Sequence, residues 1–207
     1  GTLAEVRARP TPPLARGEGL MPWGASVLLV ATRKTGKTTA VLNLARALLT
    51  GEDYLGRFHV RPVAGAVAVL NFEVSGHQLA QWAQDHRVPE DRFILVNLRG
   101  RRNPLDDDAD RAELARLLRA HGVETLIVDP FGRAYSGESQ NDAAAVGQWL
   151  VRLDRFARTE VGALDLVLTA HAGWNGERTR GSSALEDWAD VIVTMTRDEQ
   201  TDARFLR

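Results

Sequence analysis

Short apolar runs alternate along the chain with longer segments in which apolar residues recur every three or four positions. The runs predict buried strands and the segments predict amphipathic helices. Ser26 to Ala31 reads as the first strand, and Gly36 to Thr50 as a helix with Val41, Leu44, Ala45 and Leu48 inward, stopped at Gly51. Val63 to Phe72 reads as a strand, Val74 to Arg87 as a helix with Leu79, Trp82 and Ala83 on one face, and Phe93 to Asn97 as a strand. Asp107 to His121 is predicted helical, with Leu114, Leu117 and Leu118 inward and Gly122 as its stop. Thr125 to Asp129 and Leu164 to Ala170 are further strands, separated by a helix over Asn141 to Thr159. Val191 to Thr196 and Arg204 onward read as a hairpin. Strands alternating with helices in this way imply an α/β domain, its mostly parallel central sheet flanked by helices.

Residues 1–24 break the pattern. Pro10, Pro12, Pro13 and Pro22 stand among arginines and glycines, which predicts an extended lead-in or linker ahead of a domain spanning 25–207. Gly1 in place of Met, and the Arg204-Phe205-Leu206-Arg207 end that reads like a strand just beginning, suggest a piece of a longer protein with a truncated C-terminal hairpin.

Composition narrows the chemistry. The 207 residues contain no cysteine, which excludes disulfides, thiolate metal sites and cysteine nucleophiles and fits a reducing compartment such as the cytoplasm. With 26 basic against 27 acidic residues the net charge is −1, so no global field draws the chain to nucleic acid, and such binding must come from local patches or from assembly. No apolar run approaches the ~20 residues of a membrane-spanning helix, and no membrane partner is expected.

In parallel sheets ligands sit at the carboxyl ends of the strands, so the residues that follow each strand matter most. After the first strand comes Ala31-Thr32-Arg33-Lys34-Thr35-Gly36-Lys37-Thr38, a phosphate-loop pattern at every position but the first, where Ala31 replaces glycine. Ala31 to Thr39 is the expected nucleotide-binding stretch. Loop amides and the helix N-terminus face anionic phosphates, Lys37 reaches the terminal ones, and the Thr38 hydroxyl can ligate Mg²⁺. Thr125-Leu126-Ile127-Val128-Asp129 is an apolar strand ending in a carboxylate suited to hold that magnesium. Glu73 ends another strand, where it is either a general base for an attacking water or a helix-start acid favoured by the macrodipole. His171 follows the strand Leu166 to Ala170 and is either a sensor of the terminal phosphate or a structural histidine. The remaining arginines fall into loops: Arg99, Arg101 and Arg102 after the third strand, Arg133 after Asp129, and Arg178 and Arg180 after His171. Arg133, Arg178 and Arg180 could contact nucleic-acid phosphates or a neighbour's nucleotide, and Tyr135 could stack on a base.

The order of these motifs, with Arg180-Gly181-Ser182-Ser183-Ala184-Leu185 after His171, resembles the RecA-like ATPases, and in particular the RepA-type hexameric replicative helicases and their phage and actinobacterial relatives. The resemblance spans roughly residues 20–207. It implies ATP hydrolysis with Glu73 as catalytic base, Lys37 and Thr38 on phosphate and magnesium, Asp129 on the metal and His171 as sensor. It also implies a homo-oligomeric ring with single-stranded DNA in its channel, driven by ATP and Mg²⁺. An arginine finger is part of the pattern, with Arg178, Arg180, Arg197 and Arg204 as candidates. Two other readings share Lys37 and Thr38: a small-molecule kinase, and a nucleotide-gated binding module with little turnover.

Overall fold

The computed structural model describes residues 1–172 and 182–207. The central sheet has seven strands: β3 (Ser26–Ala31), β4 (Ala66–Asn71), β5 (Phe93–Asn97), β6 (Val123–Asp129), β7 (Asp165–His171), β8 (Val191–Arg197) and β9 (Arg204–Leu206), in the order β5-β4-β6-β7-β3-β8-β9. Neighbours pair in parallel throughout, except that β9 returns antiparallel to β8 and completes the expected hairpin. This is the mostly parallel, helix-flanked α/β sheet that the alternating pattern predicts.

Successive side chains on a strand point to opposite faces, so each central strand feeds two cores. Leu28, Val30, Leu126 and Val128 pack with Leu118, Leu150 and Phe156, beneath α4 (Asp108–Ala120) and α6 (Ala143–Asp154). Val27, Leu29, Ile127 and Val167 pack with Val41, Leu48 and Leu79, beneath α2 (Lys37–Thr50) and α3 (Gly76–Asp85). Both faces being covered explains why these strands read as continuous apolar runs.

Boundaries shift where backbone partners decide them. The strand expected from Val63 begins at Ala66, where its pairing with β6 starts opposite Val123. The helix expected over Asn141 to Thr159 becomes α6 and then a wider π-helical turn, Arg155–Val161. Arg119 donates to the carbonyls of Thr159 and Glu160 at 2.7 and 2.5 Å, which supplies partners that an α-helical ladder would otherwise provide.

The first 24 residues hold more structure than an extended lead-in. An exposed helix α1 (Leu3–Arg7) is followed by a small antiparallel ribbon, β1 (Ala15–Gly17) with β2 (Met21–Pro22). Arg16 of that ribbon is 1% exposed. Its Nε lies 2.8 Å from Asp165 Oδ2, its Nη1 donates to the Pro62 carbonyl at 3.1 Å, and its guanidinium lies 4.0 Å from the centre of the Trp23 ring. Gly24 and Thr125 donate to the same carboxylate. Asp165 opens β7, so this cluster lies at the foot of the sheet.

Candidate functional site

The carboxyl ends of β3, β4, β6 and β7 converge on one open cavity of about 840 Å³. The loop after β3 supplies one wall through Thr32, Arg33, Lys34, Gly36, Lys37, Thr38 and Thr39. Ala31 and Thr35, also expected to bind nucleotide, do not line it. Ala31 is the fully buried last residue of β3, paired with His171 on one side and Met195 on the other. A glycine is not required there, because Ala31 keeps ordinary strand geometry. The loop's unusual backbone falls later, at Lys34 (φ 61°) and at Gly36 (φ 98°), which is the N-cap of α2. Thr35 is buried, and its hydroxyl lies 2.5 Å from that of Thr32, closing the loop across its base.

Lys37 is 7% exposed, and its Nζ lies 3.6 Å from Asp129 Oδ1 with no hydrogen-bond partner among the described residues. Asp129, itself 3% exposed, accepts the Thr169 hydroxyl. A buried ammonium with unused donors, next to an open cavity and to backbone amides at a helix start, has the chemistry to take up a polyanion. Thr38 and Asp129 are hard oxygen donors of the kind magnesium accepts. Among the described residues no three His, Cys, Asp or Glu side chains are grouped so that they could hold a metal ion.

Glu73 and His171 line the same cavity, with His171 Nε2 3.9 Å from Glu73 Oε1. The turn that carries Glu73 is built by Asn71, which is fully buried. Asn71 Oδ1 accepts the amides of Glu73 and Val74, and Nδ2 donates to the Val74 carbonyl and to Asn97 Oδ1. Ser75 then caps α3 by accepting from Gln78. Burial holds the His171 imidazole below its ordinary pKa, and the charges of Lys37 and Arg33 add to that, against the opposing pull of Glu73 and Asp129. The ring is therefore neutral at pH 7 and can accept a proton or a hydrogen bond.

Leu42 from α2 and Val74 and Trp82 on the α3 side add apolar lining, beside the imidazole of His86. Periodicity places Trp82 on the inward face of α3 but does not show that the same face turns toward the phosphate loop. Gly132 and Gln140 also line the cavity, joined by a hydrogen bond from Gln140 Nε2 to the Gly132 carbonyl.

The arginines separate. Arg133, at the end of α5 (Phe131–Ala134), is exposed at the cavity rim. Arg178 and Arg180 lie outside the described residues, as does Gly181. Arg102 is held by Asp107 and Asp110 at 2.7 and 3.2 Å. Arg197 pairs with Asp202 at 2.5 Å, and Arg204 reaches the Thr35 carbonyl of its own chain. Tyr135 is not available to stack on a base: it is buried, stacked on Phe131 at 5.3 Å and set edge-on to Trp149.

A model of the AAA domain family matches residues 2–177. The chain belongs to the AAA domain family. The match takes in the loop, Glu73, Asp129 and His171, and the AAA domain places the chain among the P-loop ATPases. No curated protein matches this AAA domain. No helix among the described residues is long and apolar enough to cross a membrane.

Proposed function

We propose that this AAA domain hydrolyses ATP and couples hydrolysis to movement along single-stranded DNA as one subunit of a ring. The observation that carries the hydrolytic half is the approach of Glu73 and His171, 3.9 Å apart, from the strand ends on either side of Asp129, beside the buried Lys37–Asp129 pair. Lys37 and the loop amides hold the phosphates. Glu73, partly exposed and fixed by Asn71, accepts a proton from a water that attacks the terminal phosphorus. His171, neutral and within reach of Glu73, senses that phosphate and lies at the start of the segment leading to Arg178 and Arg180. Magnesium, held through Thr38 and Asp129, would neutralise charge on the phosphates. Leu42, Val74, Trp82 and His86 form a surface for the base.

Support for the DNA half comes from the resemblance of the motif order to the ring helicases and from Arg133 at the rim of the cavity. The test is steady-state ATP turnover by the chain with and without single-stranded DNA. Turnover that rises with DNA supports the motor reading. Turnover indifferent to DNA in an assembled ring overturns it, and nucleotide binding without turnover transfers the site to a gated binding module.

A further inference from the structure

Arg204 enters the site from outside the cavity. It opens β9, which pairs with β8, which in turn pairs with the strand that feeds the phosphate loop. Its Nε donates to the Thr35 carbonyl at 3.2 Å, while its Nη1 is held by the Asp202 carbonyl at 2.6 Å and by Asp202 Oδ2 at 3.0 Å. Neither Arg204 nor Thr35 lines the cavity, whereas Gly36, the next residue, does.

The peptide joining Thr35 to Gly36 makes this contact consequential. Among the described residues the one cis bond is Asp129–Pro130, so the Thr35–Gly36 peptide is trans and its N–H points opposite to its C=O. With the Thr35 carbonyl held by the guanidinium, the Gly36 amide is turned away from Arg204, and Gly36 itself lines the cavity. Gly36 sits at φ 98°, where glycine moves freely and this peptide could otherwise flip. The Thr32–Thr35 hydroxyl contact restrains the side chain but not the peptide plane. We infer that Arg204 is a positioning residue acting in its own subunit: it pins the Thr35 carbonyl so that the Gly36 amide stays aimed at bound phosphate. This rests on the phosphate-loop reading of the site and gives Arg204 a task different from that of a finger reaching a neighbour's nucleotide.

The experiment titrates a fluorescent ATP analogue with Mg²⁺ into wild type, R204A and R204K at dilutions where the chain is monomeric, and records a thermal melt of each. R204A is expected to bind about tenfold more weakly, the scale of one charged hydrogen bond, with its melting temperature unchanged. R204K keeps a donor and a charge and is expected to recover to within about threefold of wild type. Turnover is then measured in a mixture of K37A and R204A subunits. A residue acting in its own subunit leaves the turnover of the mixture, at ATP below the R204A Kd, no higher than the R204A subunits give alone, whereas a finger acting across subunits raises it above that level by pairing the intact Arg204 of one with the intact loop of the other. Wild-type affinity in R204A, affinity in R204K as weak as in R204A, or activity regained on mixing overturns the inference. Absence of nucleotide binding by wild type would instead overturn the phosphate-loop reading itself.

Discussion

The side-chain oxygen of Asn71 accepts the backbone amide of Glu73 at 3.2 Å, from a position with no solvent exposure. One buried amide group thus shapes the turn on which an acid stands at the cavity wall. Asn71→Ala leaves the Glu73 and Val74 amides and the Asn97 side chain without their partner. Turnover is expected to fall about 10–100-fold, since misplacing a reacting group by an ångström costs on that order, while nucleotide affinity stays within about threefold. Stability should drop by about 1–3 kcal/mol for the lost buried partners. Parallel measurement of kcat, Kd and a denaturant midpoint separates the two effects, and equal losses in kcat and affinity would contradict the positioning role.

Glu73→Gln preserves shape and removes basicity. Binding of ATP should persist while hydrolysis slows by about 10²–10⁴-fold, the range for a lost general base. Single-turnover kinetics with excess enzyme would show it, and a rate within a few-fold of wild type would reduce Glu73 to a helix-start acid.

Lys37→Ala is expected to leave the fold intact and to abolish measurable nucleotide binding. The ammonium is buried beside Asp129 with its donors unused, so its role lies with a ligand rather than with the core. Circular dichroism paired with isothermal titration of ATP would test this; undiminished affinity in a folded variant would remove the phosphate assignment.

His171 gives a pH signature. Its imidazole is held below the ordinary value in the folded state, so below about pH 6.5 the unfolded chain takes up a proton before the folded one does. Its contribution to stability is complete above the unfolded pKa and is lost as pH falls through the folded one. His171→Gln should therefore flatten the stability profile on the acid side of neutrality. A slope in the variant as steep as in wild type would assign the effect to other groups.

Trp82 lies on the cavity wall with Leu42 and His86. Nucleotide binding should quench its emission, and Trp82→Ala should raise the nucleotide Kd by about 5–100-fold if a base stacks there, the usual range for aromatic contacts to bases. The same affinity in the variant would place the base elsewhere.

Much of this arrangement was legible in the sequence, for a specific reason. The positions of Lys37, Glu73, Asp129 and His171 follow from apolar strands that stop at a polar residue, and a parallel sheet gathers such ends on one edge. What was not legible depends on contacts between distant residues. Arg16 and Asp165 meet across 149 positions, and Arg204 and Thr35 across 169. No local pattern marks either pair: Arg16 sits in a proline-rich lead-in, and Arg204 reads from sequence as one of four candidate arginine fingers, not as a partner of the phosphate loop. Asn71 was hidden differently: a polar residue at the end of an apolar run looks like a strand terminus, and its bond to Asn97 appears only once β5 lies beside β4. Tyr135 shows the opposite error, since a tyrosine in a polar loop invites a ligand, yet Phe131 and Trp149 claim its ring.

The register of the sheet carries a further consequence, for how such a protein can change over time. Ala31 lies opposite His171 and Asn71 opposite Asp129, so the groups at the cavity are set by where four adjacent strands end relative to one another. Adding or deleting one residue within β4 or β6 would turn every later side chain to the other face of the sheet. It would carry Glu73 or Asp129 away from Lys37 and place apolar side chains against the wrong core. The same insertion in the exposed turn at Gly100 falls outside every strand. Lineages of this domain should therefore vary in length in their loops while holding the lengths of these strands fixed, and a library of single-residue insertions scored for ATP turnover would trace the four strand ends as its intolerant positions.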